Sequence, residues 1–171
     1  MKALTDKKKF PRDKLIEFLN SLKEEKSFFV FTDDIILNCE FLLYEERDGK
    51  IVGITGIYFF PGSIMKLFRL KIGFIVVCKE FQDQTIGKML WFELHKALKN
   101  KYNYYISTIS LDNSKWLTFS KKQDYKYLGK TKDRCYFLWP VNSKGLLIYY
   151  IFKSVFDFIM PIRALHRRSR S

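Results

Sequence analysis

Apolar and polar positions alternate along this chain with two periods. After Pro11, Leu15, Ile16, Phe18, Leu19 and Leu22 fall on one helical face, and Glu24, Glu25 and Lys26 mark the exposed end of that helix. Residues 27–38 read two ways: residues 28–31 as a short strand, and Thr32-Asp33-Asp34 as a cap before a helical Ile35, Ile36 and Leu37. Residues 41–46 and 51–59 are predicted strands, and the Asp48-Gly49 pair between them signals a hairpin. Gly53 and Gly56 predict close packing on the second of these strands, and Pro61-Gly62-Ser63 predicts a turn. Residues 68–77 form the next strand, with an apolar, β-branched run from Ile72 to Val77. From Ile86 the spacing turns helical again, through Met89, Leu90, Leu94, Ala97 and Leu98. Residues 104–111 are a strand, and Asp112-Asn113-Ser114 opens a short helix to Lys122. Residues 125–130 and 134–139 make a final hairpin, turning at Thr131-Lys132-Asp133. A linker over residues 140–144 leads to a very apolar helix at 146–165 and a basic HRRSRS tail. Residues 1–10 read as a loose basic end, and no internal repeat is visible.

The strand ending at Val77 and the helix from Ile86 frame a polar turn, Gln82-Asp83-Gln84-Thr85-Ile86-Gly87-Lys88. A helix N-terminus carries unpaired N–H groups and a partial positive charge, which suits a phosphate. Gly87 removes a side chain where an anion would approach, and Thr85 is small enough to cap.

Composition narrows the class. The 171 residues suit one domain of moderate size, and 47% hydrophobic with 18% aromatic content excludes a disordered chain. A net charge of +13 favours anionic partners such as nucleic acid, acidic lipid or an acidic substrate; a lysine-rich proteome or a high growth temperature accounts for it equally well. Cys39, Cys78 and Cys135 form no CxxC pair, so neither a zinc site nor a disulfide framework is expected, and a reducing cytoplasm fits. His95 and His166 have no metal-ligand partner at i+4 and read as structural or surface residues. No apolar run of signal length follows the basic start.

At residues 72–98 the chain resembles the GNAT superfamily of N-acetyltransferases, whose acyl-CoA signature is a strand, then Gln/Arg-x-x-Gly-x-Gly/Ala, then a helix. Gln82 matches the Gln/Arg position and Gly87 the final Gly/Ala, while Thr85 stands where the first Gly is usual. Residues 77–82 resemble the usual lead-in, with Lys79 where Pro is common. The order of elements over residues 10–140 is also that of the GNAT fold. Asn113, a short helix and Gln123-Asp124-Tyr125 resemble the family's Asn…Tyr…Leu-Gly-Phe ending, with Asp124 for Gly and Tyr125 for Phe.

The resemblance implies an α/β fold with a mixed sheet, a GNAT-like domain over residues 1–140 and a C-terminal apolar helix with a basic tail over 141–171. It implies an acetyl-CoA-dependent N-acetyltransferase with an amine acceptor and no metal. The backbone at Val76 and Val77 would hold pantetheine, Gln82, Asp83, Gln84, Thr85, Ile86, Gly87 and Lys88 would cradle the pyrophosphate, and Asn113 would contact the cofactor further along. Amine attack needs a neutral amine, and a lysine-type amine is neutral about once in 2,500 at pH 7. Many members carry a Glu on the strand before the motif; here that strand has no carboxylate, and Glu45, Glu46, Glu80 and Asp112 are substitutes by neighbourhood only. The usual acid is a Tyr five residues before the Phe, a position that holds Ser120 here. Cys78 reads as a structural thiol near the expected thioester. These departures keep open a non-catalytic binding module acting through its basic surface on nucleic acid or anionic membrane.

The last helix is marginal as a membrane span. Lys153 and Asp157 at its centre cost roughly 5–7 kcal/mol, against roughly 3–6 returned by its apolar residues. It is expected to pack on the domain, to pair two copies as a homodimer, or to lie on an anionic membrane beside Arg163, Arg167, Arg168 and Arg170. The protein is then cytoplasmic, either free or peripheral to the membrane.

Overall fold

A computed structural model describes residues 2–4, 11–24, 39–59, 71–82 and 84–168. The readings for residues 27–38 and 61–63, for the start of the strand at 68–70 and for Asp83 lie outside these. The chain divides into two compact units, Met1–Asn100 and Lys101–Ser171.

In the first unit, strands β1 (Lys2–Leu4), β2 (Phe41–Arg47), β3 (Lys50–Phe59) and β4 (Lys71–Val77) lie side by side in chain order, each antiparallel to the next. The loose start expected over residues 1–10 is corrected at Lys2–Leu4, which pairs with Leu42–Tyr44. Three residues held by backbone bonds to a neighbour carry no periodicity to read. Asp48 and Gly49 both take positive φ, 50° and 80°, the turn that an Asp-Gly hairpin requires.

Helix α1 (Arg12–Glu24) packs on β3 and buries Leu15, Phe18, Leu19 and Leu22. Its Lys14 Nζ reaches Glu46 Oε1 at 2.6 Å. Helix α2 (Ile86–Leu98) packs on β2, β3 and β4. Gly53 is the contact point, because a Cβ there would stand 3.0 Å from Leu90 Cδ1 and 3.2 Å from Ile86 Cγ2. Gly56 points the opposite way, beneath the Phe74 ring of its cross-strand partner.

His95 lies half-buried on α2, its ring 3.9 Å from that of Trp91, with Nδ1 2.6 Å from the Trp91 carbonyl. A carbonyl only accepts, so Nδ1 carries the proton. Burial lowers the imidazole pKa from 6.5 to about 4 and outweighs the opposing bond to the Trp91 carbonyl. The folded state therefore binds its proton later than the unfolded chain as pH falls. The stability is complete above pH 6.5 and is lost progressively from there towards pH 4. Urea titrations should show a loss of about 2 kcal/mol between pH 7 and pH 5 that His95→Gln lacks; parallel pH profiles for the two proteins would refute this assignment.

In the second unit, β5 (Tyr104–Ser110) and β6 (Lys126–Lys130) flank β7 (Arg134–Pro140), both antiparallel to it. Helix α3 (Ser114–Lys122) precedes β6. Tyr105 and Tyr125 bury their hydroxyls 2.8 Å apart, and burial holds the Tyr105 phenol well above its ordinary pKa. The Tyr125 ring lies 5.1 Å from that of Trp139 and meets Phe137 edge-on.

Helix α4 (Ser143–Arg168) packs on β5, β6 and β7. Its first turn is clasped to Asn103. The Asn142 amide donates to Asn103 Oδ1 at 2.9 Å, and the Val141 N–H donates to the Asn103 carbonyl at 2.8 Å. Asn142 Oδ1 also accepts the Gly145 N–H at 3.1 Å, a capping bond. Further along, Phe152 meets Tyr104 edge-on and the Tyr149 hydroxyl donates to the Tyr127 carbonyl. Of the expected roles for this helix, packing on its own unit is the one observed for these residues. Among the described residues, no helix is long and apolar enough to cross a membrane.

Candidate functional site

β4 changes character along its length. Ile72, Gly73 and Phe74 are buried, whereas Ile75, Val76, Val77 and Cys78 are only half-buried. After Cys78, whose N–H donates to the Val52 carbonyl, a 3-10 turn (Lys79–Phe81) reverses the chain. Gln82 is exposed, and its side-chain amide donates back to the Val77 carbonyl at 3.2 Å. Gln84 likewise donates to the Glu80 carbonyl at 3.4 Å. These two glutamines brace the turn against its own backbone.

Thr85 stands at the N-cap of α2 with φ 63° and ψ −4°, in the left-handed region. It does not cap, contrary to expectation. Its hydroxyl donates to the Gln84 carbonyl at 2.6 Å, and no side-chain cap bond runs from it to α2. The resemblance accounts for the geometry: glycine is usual at this position, and glycine adopts positive φ without strain. Asp124, which stands for the second family glycine, also has positive φ, at 55°. Both backbones keep the glycine conformation without the glycine. The cost is greater for Thr85, because β-branched residues tolerate this region least. Thr85→Gly should stabilise the fold by about 1 kcal/mol. A lower melting temperature for this variant would show that the strain is not there.

From the cap, the Met89 N–H donates to the Thr85 carbonyl at 3.0 Å, opening the α2 ladder. The N–H groups of Ile86, Gly87 and Lys88 thus precede the helical ladder. The Ile86 side chain is not at the surface; it is buried with Val52 and Leu90, and Ile75, Val77 and Phe81 pack around them. Only its backbone remains for a ligand. Among the described residues, a Cβ on Gly87 would find nothing nearer than Val77 Cγ2, at 3.7 Å. Against the described residues, packing therefore does not require glycine here, and the flank of Gly87 is open. Lys88 is exposed on the same turn.

The structure thus brings Val76, Val77, Gln82, Gln84, Thr85, Gly87 and Lys88 together in the first unit. Asn113 and Ser120 stand in the second. Asn113 caps α3, its Oδ1 accepting the Trp116 N–H at 3.1 Å. Ser120 is enclosed at 1% exposure, and among the described residues its hydroxyl has no hydrogen-bond partner. A buried, unpartnered hydroxyl is destabilising, so Ser120→Ala should leave the fold equally stable or more stable by about 1 kcal/mol. Turnover should stay within about tenfold, or about 1.4 kcal/mol of barrier. A thousandfold loss with normal cofactor binding would instead make this serine a proton relay.

Of the four carboxylates that are candidates by neighbourhood, Glu45 is buried and Glu46 half-buried. Glu45, on β2, is buried and accepts from Arg47 Nε at 3.0 Å, and Glu46 is held by Lys14. Glu80 and Asp112 are exposed. The Glu45–Arg47 pair escaped the sequence reading because an i,i+2 pair on a strand carries no distinguishing signal. Among the described residues, no group of three His, Cys, Asp or Glu side chains could hold a metal ion.

The comparisons agree with this architecture. The model of the acetyltransferase (GNAT) family matches residues 9–142. No curated protein matches the chain in sequence. Among solved structures, the GNAT-family acetyltransferase of Streptococcus pneumoniae superposes with a TM-score of 0.59 at 19% identity, over 77% of this chain and 93% of its own. The protein smu.2055 of Streptococcus mutans UA159 gives 0.60 at 16% identity, over 83% and 100%. yncA of Salmonella typhimurium, solved with its cofactor acetyl-CoA, gives 0.60 at 10% identity, over 78% and 92%. At these identities the superpositions speak for the fold, an α/β fold of the same kind. With a family match that spans most of its length, the chain belongs to the acetyltransferase (GNAT) family.

Proposed function

We propose that this protein is an acetyl-CoA-dependent N-acetyltransferase, moving an acetyl group from the CoA thioester to an amine. The observation that carries the reading is the open flank of Gly87 at the start of α2, where the neighbouring N–H groups precede the helical ladder. Such a terminus favours a pyrophosphate through both its donors and its dipole. The N–H groups of Ile86, Gly87 and Lys88 would hold the pyrophosphate, and the Lys88 ammonium would add charge. Thr85 and Gln84 shape the turn, and Asp83, outside the described residues, is assigned to the same cradle from the family pattern alone. The half-buried end of β4 at Val76 and Val77 would present backbone groups to pantetheine, with the Val77 carbonyl already braced by Gln82. Asn113 would use its amide nitrogen, since its oxygen caps α3. Acetyl-CoA supplies an activated acyl group and a thiolate leaving group. The chain must supply a neutral amine, yet β4 offers no carboxylate for that.

A second reading is favoured by one observation, the enclosed and unpartnered Ser120 where the family acid would be. It is a GNAT-fold module that binds CoA without catalysis. A thermal-shift titration with acetyl-CoA, followed by an amine screen for released CoA thiol, separates the two. Stabilisation with thiol release supports the enzyme. Stabilisation without release across polyamines, aminoglycosides and N-terminal peptides supports the module, and no stabilisation at all defeats both.

A further inference from the structure

The inward side of α4 is fully used. Gly145, Tyr149 and Phe152 face the sheet of their own unit. The outward side carries exposed Ser154 and Asp157, the latter paired with Lys153, but it is far more apolar than that of a solvated helix. Leu147 is 64% exposed, Tyr150 61%, Ile151 53% and Val155 46%. Spaced at i, i+3, i+4 and i+8, they form one stripe, with exposed Lys144 at its start. Contiguous exposed apolar area of this kind marks an interaction surface.

Charge tells what covers it. Residues 101–171 hold fourteen Lys and Arg against four Asp and Glu, a net +10 of the chain's +13. Beyond the stripe the sequence adds Arg163, Arg167 and Arg168 within the same helix. A second copy of this chain would bring two strongly cationic units together, which like-charge repulsion opposes. Nucleic acid would engage the cations but has no use for a row of Leu, Ile and Val. An anionic lipid surface satisfies both features: it takes apolar side chains and a tyrosine at its boundary, and it attracts Lys and Arg.

We propose that the outward stripe of α4 docks this protein on anionic membrane surfaces, lying in the interface without spanning it. The helix then has two faces with two tasks, one anchoring it to its own unit and the other resting on lipid.

The test is vesicle flotation with the full-length chain, which does not depend on acetyl transfer. Phosphatidylcholine vesicles are compared with vesicles containing roughly one-third phosphatidylglycerol. Binding is expected only to the anionic vesicles, weakening as salt rises from about 0.1 M to about 1 M and the screening length falls from about 10 to about 3 Å. Leu147→Ser with Ile151→Ser should reduce binding at least tenfold while leaving the melting curve unchanged, since both residues are exposed. Val155→Asp, a single change on the same stripe, should act in the same direction. Unchanged vesicle binding in these variants would overturn the proposal. So would a dimer in sedimentation velocity that the serine pair dissociates, in a protein that ignores vesicles. Salt-sensitive binding to an RNA or DNA oligomer without vesicle binding would overturn it in favour of nucleic acid.

Discussion

Gly87→Glu should abolish the stabilisation that acetyl-CoA confers while leaving the unliganded protein intact. At a ligand concentration of 100 times the dissociation constant, the wild-type chain should gain about 2.7 kcal/mol, and the variant none. The structure separates the two effects. A Cβ at this position makes only an ordinary contact, 3.7 Å from Val77 Cγ2, so the fold has room for a side chain. A carboxylate in the first turn of a helix even favours the helix dipole. The same carboxylate would place bulk and negative charge where the pyrophosphate is expected to lie. Gly87→Ala is the control, and it should keep most of the thermal shift. A full shift in folded Gly87→Glu would remove this turn as the cofactor site.

Gly145→Ala should have the opposite profile, disrupting the fold away from the cradle. A Cβ on Gly145 would stand 1.9 Å from the Asn103 carbonyl oxygen, 2.9 Å from its carbon and 3.1 Å from Pro140 Cα. All three are backbone atoms, so no side chain can swing aside. The expected loss is about 3 kcal/mol, at the upper end of overpacking effects. The sign is diagnostic, because alanine is the better helix former by about 1 kcal/mol and propensity alone predicts a gain. Chemical denaturation should show the loss, together with new proteolytic cleavage within α4. A stabilised Gly145→Ala protein would mean that α4 does not start against Asn103. Asn142→Ala, which removes the cap and the bond to Asn103 without a clash, should cost less, about 1 kcal/mol.

Much of this was legible in the sequence, because the hydrophobic period is set by burial. The helical spacing of Leu15, Phe18, Leu19 and Leu22 is the spacing of side chains that must face a sheet, and all four are buried. Asp48-Gly49 announced its hairpin because few other pairs accept positive φ twice in succession. Lys2–Leu4 could not be read, since an edge strand of three residues rests on backbone bonds to a partner distant in sequence. Thr85 misled for a related reason. A small hydroxyl before a helix ordinarily caps it, but a left-handed backbone turns that hydroxyl back onto the preceding carbonyl. The glycine missing from the family pattern was the available clue. The shape of the turn before α2 was readable because it is a matter of backbone, which a short motif specifies. The acid and base were not, because they are single side chains whose role depends on distant surroundings. Ile86, for example, reads as part of the cradle and sends its side chain into the core.

The clasp at Asn103 also bears on the order in which the chain becomes a protein. Asn142 lies thirty-nine residues after Asn103, so their bond joins the opening of the second unit to the first turn of its last helix. Nothing local can close that loop, and the entropy of closing it must be met before the contact returns anything. On the ribosome, β5 emerges well before Asn142 and Gly145 exist outside the tunnel, and until then it lacks the helix that covers it. The strands and α2 of the first unit lie wholly within residues 1–100, so they are synthesised before the second unit is made. Birth order thus puts the cradle first and the outward helix last.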